Sequence, residues 1–287
     1  MKAIPALLVG TASACGAIQS KTVEYKVGDR AFEAFVVYDD AKATPTNKQP
    51  GILVCPEWWG NNEYARTRAR QLAELGYVAV SIDLYGKDDG KLRLTTNPEE
   101  AGKWAAEVSG IPGAIRERAA AGYKVLTSLP QVDPTRTAAI GYCMGGTVAL
   151  ELARTGVPLN AVVTFHTSTI AAKEPADNKA IKASVLVCHG QDDAFVSDEQ
   201  IKSFHSQMKD AGVEYQFASY SGAVHSFTNS GADAFKIPGV AYQKAADHRS
   251  WESMQALFRE KFNAPAATKP IEKPADGAPK SQPVPEK

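Results

Sequence analysis

Short apolar runs alternate with longer segments of helical period through the middle of this chain, and no other feature constrains the fold as much. The runs are GILVCP, YVAVSIDLY, TAAIGY, NAVVTFH, ASVLVCHG and EYQFASY. Nearly continuous apolar runs of this length suit strands buried on both faces. The segments between them are long enough for crossover helices, which makes parallel pairing the expected topology. The expected class is therefore α/β, a mostly parallel central sheet with helices on both faces. Glu63 to Leu75 has helical spacing and ends at Gly76, a C-cap residue. Pro98 to Leu129 reads as mainly helical and divides at Gly110-Ile111-Pro112-Gly113. Gly145 to Thr155, Glu199 to Ala211 and Trp251 to Phe262 read as further helices. Ahead of all these, Thr22 to Tyr38 alternates in part and reads as two strands joined by Gly28-Asp29. Gly222 to Ser250 lacks a clear period and reads as a loop with short helices lying over the site.

With 287 residues and 44% hydrophobic content the chain can bury one substantial core, so one catalytic domain is expected, over residues 21–262. Lys plus Arg and Asp plus Glu both total 32, and no basic run stands out. Neither nucleic acid nor an anionic membrane is an expected partner. The N-terminus, MKAIPALLVGTASACGAIQS, has one Lys, an apolar run from Ala3 to Val9 and small residues before Cys15. Residues 1–20 thus read as a signal peptide and short leader, implying a periplasmic or secreted protein. Lipid attachment at Cys15 is the lesser alternative, since Ala12 departs from the usual Leu, and a cytoplasmic protein follows if the segment is not processed. The apolar run is too short to span a membrane, which takes roughly 20 residues. Residues 263–287, rich in Pro, Lys, Glu and Ala, read as a disordered tail.

The chemistry centres on Gly141-Tyr142-Cys143-Met144-Gly145-Gly146. Small residues two before and two after a nucleophile let strand and helix approach closely at a sharp turn, so that Cys143 projects from it. The Met144 amide can then face a developing oxyanion, and the helix N-terminus favours negative charge there. Any tight strand–helix turn prefers glycine, so the turn alone leaves open a buried, inert thiol, as expected for Cys55 and Cys188 within strands. Partners in order narrow this. CHGQDDAFVS supplies Asp192 and Asp193 after a strand, and SGAVHSF supplies His225 after the next. Cys, Asp, His is the chain order of an α/β-hydrolase triad, with His225 as base and the acid holding its tautomer. The simpler readings are a turn-capping Asp and a loop histidine bonded to a carbonyl. His189 reads as a strand-end histidine; His166, His205 and His248 read as structural or surface groups. The histidines form no metal motif, and neither a metal nor an organic cofactor is expected.

At this point the chain resembles the dienelactone hydrolase family, the carboxymethylenebutenolidases of the α/β-hydrolase superfamily. The likeness runs from about Val23 to Phe262 and includes PEWWGNN, DLYGK, GYCMGG, GQDDAFV, GAVHSF and AYQKAADHRSW. It implies an α/β-hydrolase fold, Cys143 as nucleophile and His225 as base. It also implies Asp193 as the orienting acid, with Asp192 as the fallback. Glu57 matches the family's acid after the first central strand, where it interacts with the resting cysteine and helps generate the thiolate when substrate arrives. A permanent carboxylate beside a thiol would oppose its ionisation, so a gated nucleophile is expected. The backbone amides of Trp58 and Met144 are the expected oxyanion-hole pair.

The resemblance also implies a carboxylic ester hydrolase, carboxymethylenebutenolidase-like, acting on a small-molecule lactone or ester through a cysteine thioester. Two positions depart from the pattern. Where arginines would hold a substrate carboxylate, the chain has Lys87 after DLY and Asn229 after HSF, and Arg249 cannot be placed. Lys87 and Asn229 are therefore expected at the substrate pocket, with Trp58, Trp59, Tyr85 and Phe227 as its aromatic wall. A general thiol esterase without lactone preference and a non-catalytic binding module of the same fold remain the alternatives. Export would expose Cys143 to oxidation, which sits uneasily with thiol catalysis.

Overall fold

The protein is described by a computed structural model that covers residues 16–263. Two antiparallel strands open the fold, β1 (Ile18–Val27) and β2 (Arg30–Asp39), paired along their whole length around Gly28 at φ 57°. The apolar runs then form β3 (Gln49–Cys55), β4 (Val78–Ser81), β7 (Val132–Tyr142), β8 (Ala161–Phe165), β9 (Ser184–Gly190) and β10 (Tyr215–Tyr220). A short hairpin, β5 (Lys87–Asp88) with β6 (Lys91–Leu92), stands apart. The eight-stranded sheet runs β1-β2-β4-β3-β7-β8-β9-β10, and every pair from β4 to β10 is parallel. The mostly parallel α/β sheet expected from the apolar runs, and the α/β-hydrolase fold implied by the resemblance, are the ones found.

Helices cover both faces. One face packs against α2 (Pro98–Gly110), α3 (Ala114–Ser128), α4 (Met144–Ala153) and α5 (Asp198–Ala211), through Val108, Leu126, Val148 and Phe204. The other packs against α1 (Glu63–Glu74) and α6 (Lys244–Asn263), through Leu72, Met254 and Phe258. Strand residues divide accordingly: Leu53 and Val80 turn to the first face, Ile52 and Ala79 to the second. The period-two alternation of side chains along a strand produces this split. Both faces are apolar, which is why these strands read as continuous runs.

Three boundaries differ from expectation. α6 begins at Lys244 rather than Trp251, because its inward positions Ala246 and Ser250 are too small to register as an apolar stripe. β1 begins at Ile18, inside the segment read as leader, and α6 ends at Asn263, the first residue read as tail. The hairpin β5–β6 is too short and polar to carry a sequence signal. The apolar run ahead of Cys15, Cys15 itself and residues 264–287 lie outside the described residues. Among the described residues no helix is long and apolar enough to cross a membrane.

Candidate active site

Strand β7 ends at Tyr142 and helix α4 starts at Met144, so the whole turn is made by Cys143, at φ 54° and ψ −121°. A side chain resists that conformation, and it persists only where surrounding packing enforces it. The flanking glycines supply the packing. A Cβ on Gly141 would run into the backbone of Gly145, and a Cβ on Gly145 would run into the carbonyls of Cys55 and Pro56. Strand, turn and helix can therefore close only with glycine at both places. Cys143 is left 8% exposed at the mouth of α4. The amides of Met144 and Trp58, the expected oxyanion pair, donate no hydrogen bond among the described residues.

His225 follows β10 in a loop held by a bridge to Val240. Its Nδ1 lies 2.8 Å from Asp193 Oδ2, and both residues are buried. Asp193 follows β9, and its Oδ1 accepts from the Phe195 amide at 3.0 Å. Asp192 is exposed with its amide on the Ala223 carbonyl, so the choice between adjacent acids resolves to Asp193. With Nδ1–H donated to the carboxylate, Nε2 is the nitrogen left for proton transfer with Cys143. Burial works to lower the His225 pKa. The Cys143 charge and the hydrogen bonds to Asp193 and Cys143 outweigh it and push the pKa up to about 10.

Glu57 lies just beyond β3 and is 1% exposed. Oε1 accepts from Ser226 Oγ at 3.0 Å and Oε2 from Asn229 Nδ2 at 2.8 Å. Burial raises its pKa, and the Asn229 and Ser226 hydrogen bonds, then His225 and Arg68, offset that only in part. The resemblance pairs this acid with the resting cysteine; here Ser226 and Asn229 hold its two oxygens.

A cavity of about 250 Å³ opens over Cys143 and His225. Trp58, Trp59 and Met144 line it from the loop and the elbow, Ala105 and Ser109 from α2, and Phe195, Ile237 and Val240 from the loops after β9 and β10. Ser168 and Ser226 add hydroxyl groups. Trp58 and Trp59, both expected there, line the pocket, and Trp59 stacks on Phe235 with centroids 4.3 Å apart. Tyr85, Phe227, Lys87 and Asn229 sit elsewhere. Tyr85 is buried behind the pocket and donates to the Trp58 carbonyl at 2.8 Å, which holds the Trp58–Trp59 peptide in place. Phe227 is fully buried core. Lys87 pairs with Glu24 at 2.7 Å and Glu33 at 3.2 Å at the sheet edge. Asn229 is turned inward onto Glu57. Arg249 is exposed on the outer side of α6. Loop side chains carry no periodicity, so their direction is set by partners distant in sequence.

His166, read from the sequence as a structural or surface group, is fully buried beside the elbow at φ 40°. The Cys143 amide donates to its Nδ1 at 3.2 Å, and its Nε2 lies 2.7 Å from Thr228 Oγ1. Thr228 Oγ1 in turn lies 2.6 Å from the Tyr64 hydroxyl. Arg68 donates to the Thr228 carbonyl and, at 2.6 Å, to Asp247. Burial, then His225 and Arg68, keep the His166 pKa well below the ordinary histidine value, so its ring is neutral. An accepting Nδ1 places the ring proton on Nε2, toward Thr228. The only hint in sequence was a polar residue at the end of a buried strand. Cys55 and Cys188 are buried free thiols, as expected, and burial pushes the Cys188 pKa up to about 12. Among the described residues no group of three or more His, Cys, Asp or Glu is arranged to hold a metal ion.

A mostly parallel sheet with Cys143 at a tight strand–helix elbow, and an acid and a histidine after the strands beyond it, defines an α/β hydrolase. Comparison with known proteins narrows the class. The dienelactone hydrolase family matches residues 35–262, and the chain belongs to that family. A dienelactone hydrolase-like promiscuous phosphotriesterase from metagenomic libraries is 38% identical, with a TM-score of 0.80 over 86% of this chain and 99% of that one. A second solved structure, m3DLH, is 40% identical with the same TM-score of 0.80, also over 86% of this chain and 99% of its own. Protein usf of Aquifex pyrophilus is 26% identical over 223 residues, 76% of this chain and 91% of its own. Family and fold together make the protein a hydrolase of the ester-cleaving kind.

Proposed function

We propose that the protein hydrolyses a lactone or carboxylic ester through a thioester on Cys143. The observation that carries this reading is the 2.8 Å His225–Asp193 hydrogen bond, with His225 and Cys143 facing one cavity. His225 Nε2 takes the thiol proton, and the sulfur attacks the carbonyl carbon. The amides of Trp58 and Met144 receive the oxyanion, an interaction worth roughly 10²–10³ in rate per donor in comparable sites. The tetrahedral adduct collapses, the C–O bond breaks, and His225 returns its proton to the departing alkoxide, which in a lactone stays attached. Water, deprotonated by the same nitrogen, then attacks the thioester; the carboxylic acid leaves and the thiol is restored. Burial raises the Glu57 pKa, which lessens the like charge this acid sets against a thiolate. That is compatible with a nucleophile gated by this acid.

Cys143→Ala should abolish turnover of simple esters and lactones while the far-UV circular dichroism stays native. Mass spectrometry of quenched wild-type enzyme should find the acyl group on Cys143. Undiminished turnover by the variant would remove Cys143 from the mechanism.

A second reading comes from the 38% identical phosphotriesterase: the same thiol attacks a neutral phosphotriester. Release of 4-nitrophenol from diethyl 4-nitrophenyl phosphate, lost in Cys143→Ala, supports it. Release that survives the substitution counts against it.

A further inference from the structure

We infer that the site selects compact, neutral substrates with an apolar group and turns away those bearing a carboxylate. The inference rests on the proposed hydrolase reading of this site and adds its substrate class. The cavity wall is the first ground. Trp58, Trp59, Ala105, Phe195, Ile237 and Val240 present aromatic and aliphatic surface, and among the described residues no Lys, Arg, Asp or Glu lines it. An anion entering such a space loses its hydration, and the cationic group it meets among the lining residues, His225, is already paired with Asp193.

Four cations on the surrounding elements are committed elsewhere. Lys87 sits between Glu24 and Glu33. Arg93 pairs with Asp88 and with Glu107 at 2.7 Å. Arg68 is spent on the Thr228 carbonyl and Asp247. Arg118 donates to the Leu84 carbonyl. His225, the remaining cationic group on the wall, is bound to Asp193. Asn229 points away from the cavity onto Glu57, and Ser226, which does line the cavity, bonds that same acid. Glu57, which like Asp193 lies close behind the wall, would repel, not attract, a second carboxylate whenever it ionises.

Size and polarity set the rest. A volume of about 250 Å³ lies just below the usual range for ligand pockets, roughly 300–1,000 Å³. The hydroxyls of Ser109 and Ser168 can serve a carbonyl or ether oxygen but cannot neutralise a charge.

The test compares 4-nitrophenyl butyrate with the 4-nitrophenyl monoester of succinic acid, in which a carboxylate replaces the terminal methyl. The methyl ester of that succinate is the neutral control for size. The butyrate should exceed the acid in kcat/KM by about 100-fold or more, with the methyl ester within about tenfold of the butyrate. Equal kcat/KM for the acid and the butyrate would overturn the inference. Ser109→Arg, at the cavity end of α2, should narrow the gap by about tenfold through a charge-assisted contact. A gap that does not move would assign the rejection to shape and overturn the charge argument. Binding of the same three compounds to Cys143→Ala, read by quenching of Trp fluorescence, separates this inference from the catalytic reading. If wild-type enzyme turns over none of them, the hydrolase reading fails. Binding of the two neutral compounds without the acid still upholds the substrate class, and equal binding of all three ends it.

Discussion

Asn229 donates to Glu57 across 2.8 Å of fully packed interior, so the position where a substrate-binding arginine would be expected serves a buried acid instead. Asn229 brings no charge to the substrate's side of the site, and its amide supplies Glu57 with one of its two hydrogen-bond donors. The acid's pKa is raised from 4.5 by burial, so the folded protein holds this proton to higher pH than the unfolded chain does. Stability therefore falls as pH rises from 4.5 through the folded-state value. Glu57→Gln has no such ionisation, and its melting temperature should gain on wild type as pH is raised from 5 to about 8. A constant difference across that range would show that Glu57 does not change charge there. In stopped-flow acylation the same variant should be roughly tenfold slower or more, and a wild-type rate would end the gating role.

Asp193→Asn tests the origin of the high His225 pKa. That value, about 10, depends on the Asp193 hydrogen bond and on the Cys143 charge against the opposing effect of burial. A raised histidine pKa lets His225, once it has taken the thiol proton, hold that proton for the departing alkoxide as pH climbs. Activity should accordingly persist well above pH 7 and fade as the His225 proton is lost. In Asp193→Asn the alkaline limb should move to lower pH, and kcat should fall on the order of 10⁴, the scale of the equivalent change in a serine triad. A pH profile that keeps its alkaline limb would exclude Asp193 as the partner that matters.

His166 should prove to be a positioning residue for the elbow. Its Nδ1 accepts the Cys143 amide and its Nε2 meets Thr228, so His166→Phe would take one partner from each and leave the amide on the Phe165 carbonyl at 3.0 Å and Thr228 on the Tyr64 hydroxyl. A loss of about 0.5–1.5 kcal/mol per lost hydrogen bond is expected in denaturant unfolding. His166→Asn, which keeps one donor and one acceptor, should recover part of it. The alkaline limb of the rate profile should stay where His225 puts it, since His166 is neutral throughout. A shifted limb would give His166 a share in proton transfer.

Gly145→Ala probes the closeness of the elbow to β3. The added methyl would meet the carbonyls of Cys55 and Pro56, neither of which is a flexible side chain. Destabilisation of about 1–3 kcal/mol, or more if the turn cannot shift, should appear in urea titration. A neutral result would mean that strand and helix have room that the structure does not show.

The sequence by itself determined the sheet, the turn and the order of the catalytic candidates. Apolar runs such as GILVCP and ASVLVCHG must be buried on both faces, and Gly141 and Gly145 flank the one residue forced out of the strand–helix turn. These are local consequences of side-chain size and period, so they are legible along the chain. The tertiary structure alone decided which way each loop side chain faces. Asp193 and Asp192 are adjacent and alike, yet only Asp193 turns to His225. Lys87 and Asn229 stood at positions that could have faced substrate, but Glu24, Glu33 and Glu57, distant in sequence, drew them away. The cavity wall from α2, Ile237 and Val240, and the support of the elbow by His166, arise the same way. Contacts between segments far apart in the chain follow no period, and their electrostatic and packing energies exist only once the fold has brought the partners together.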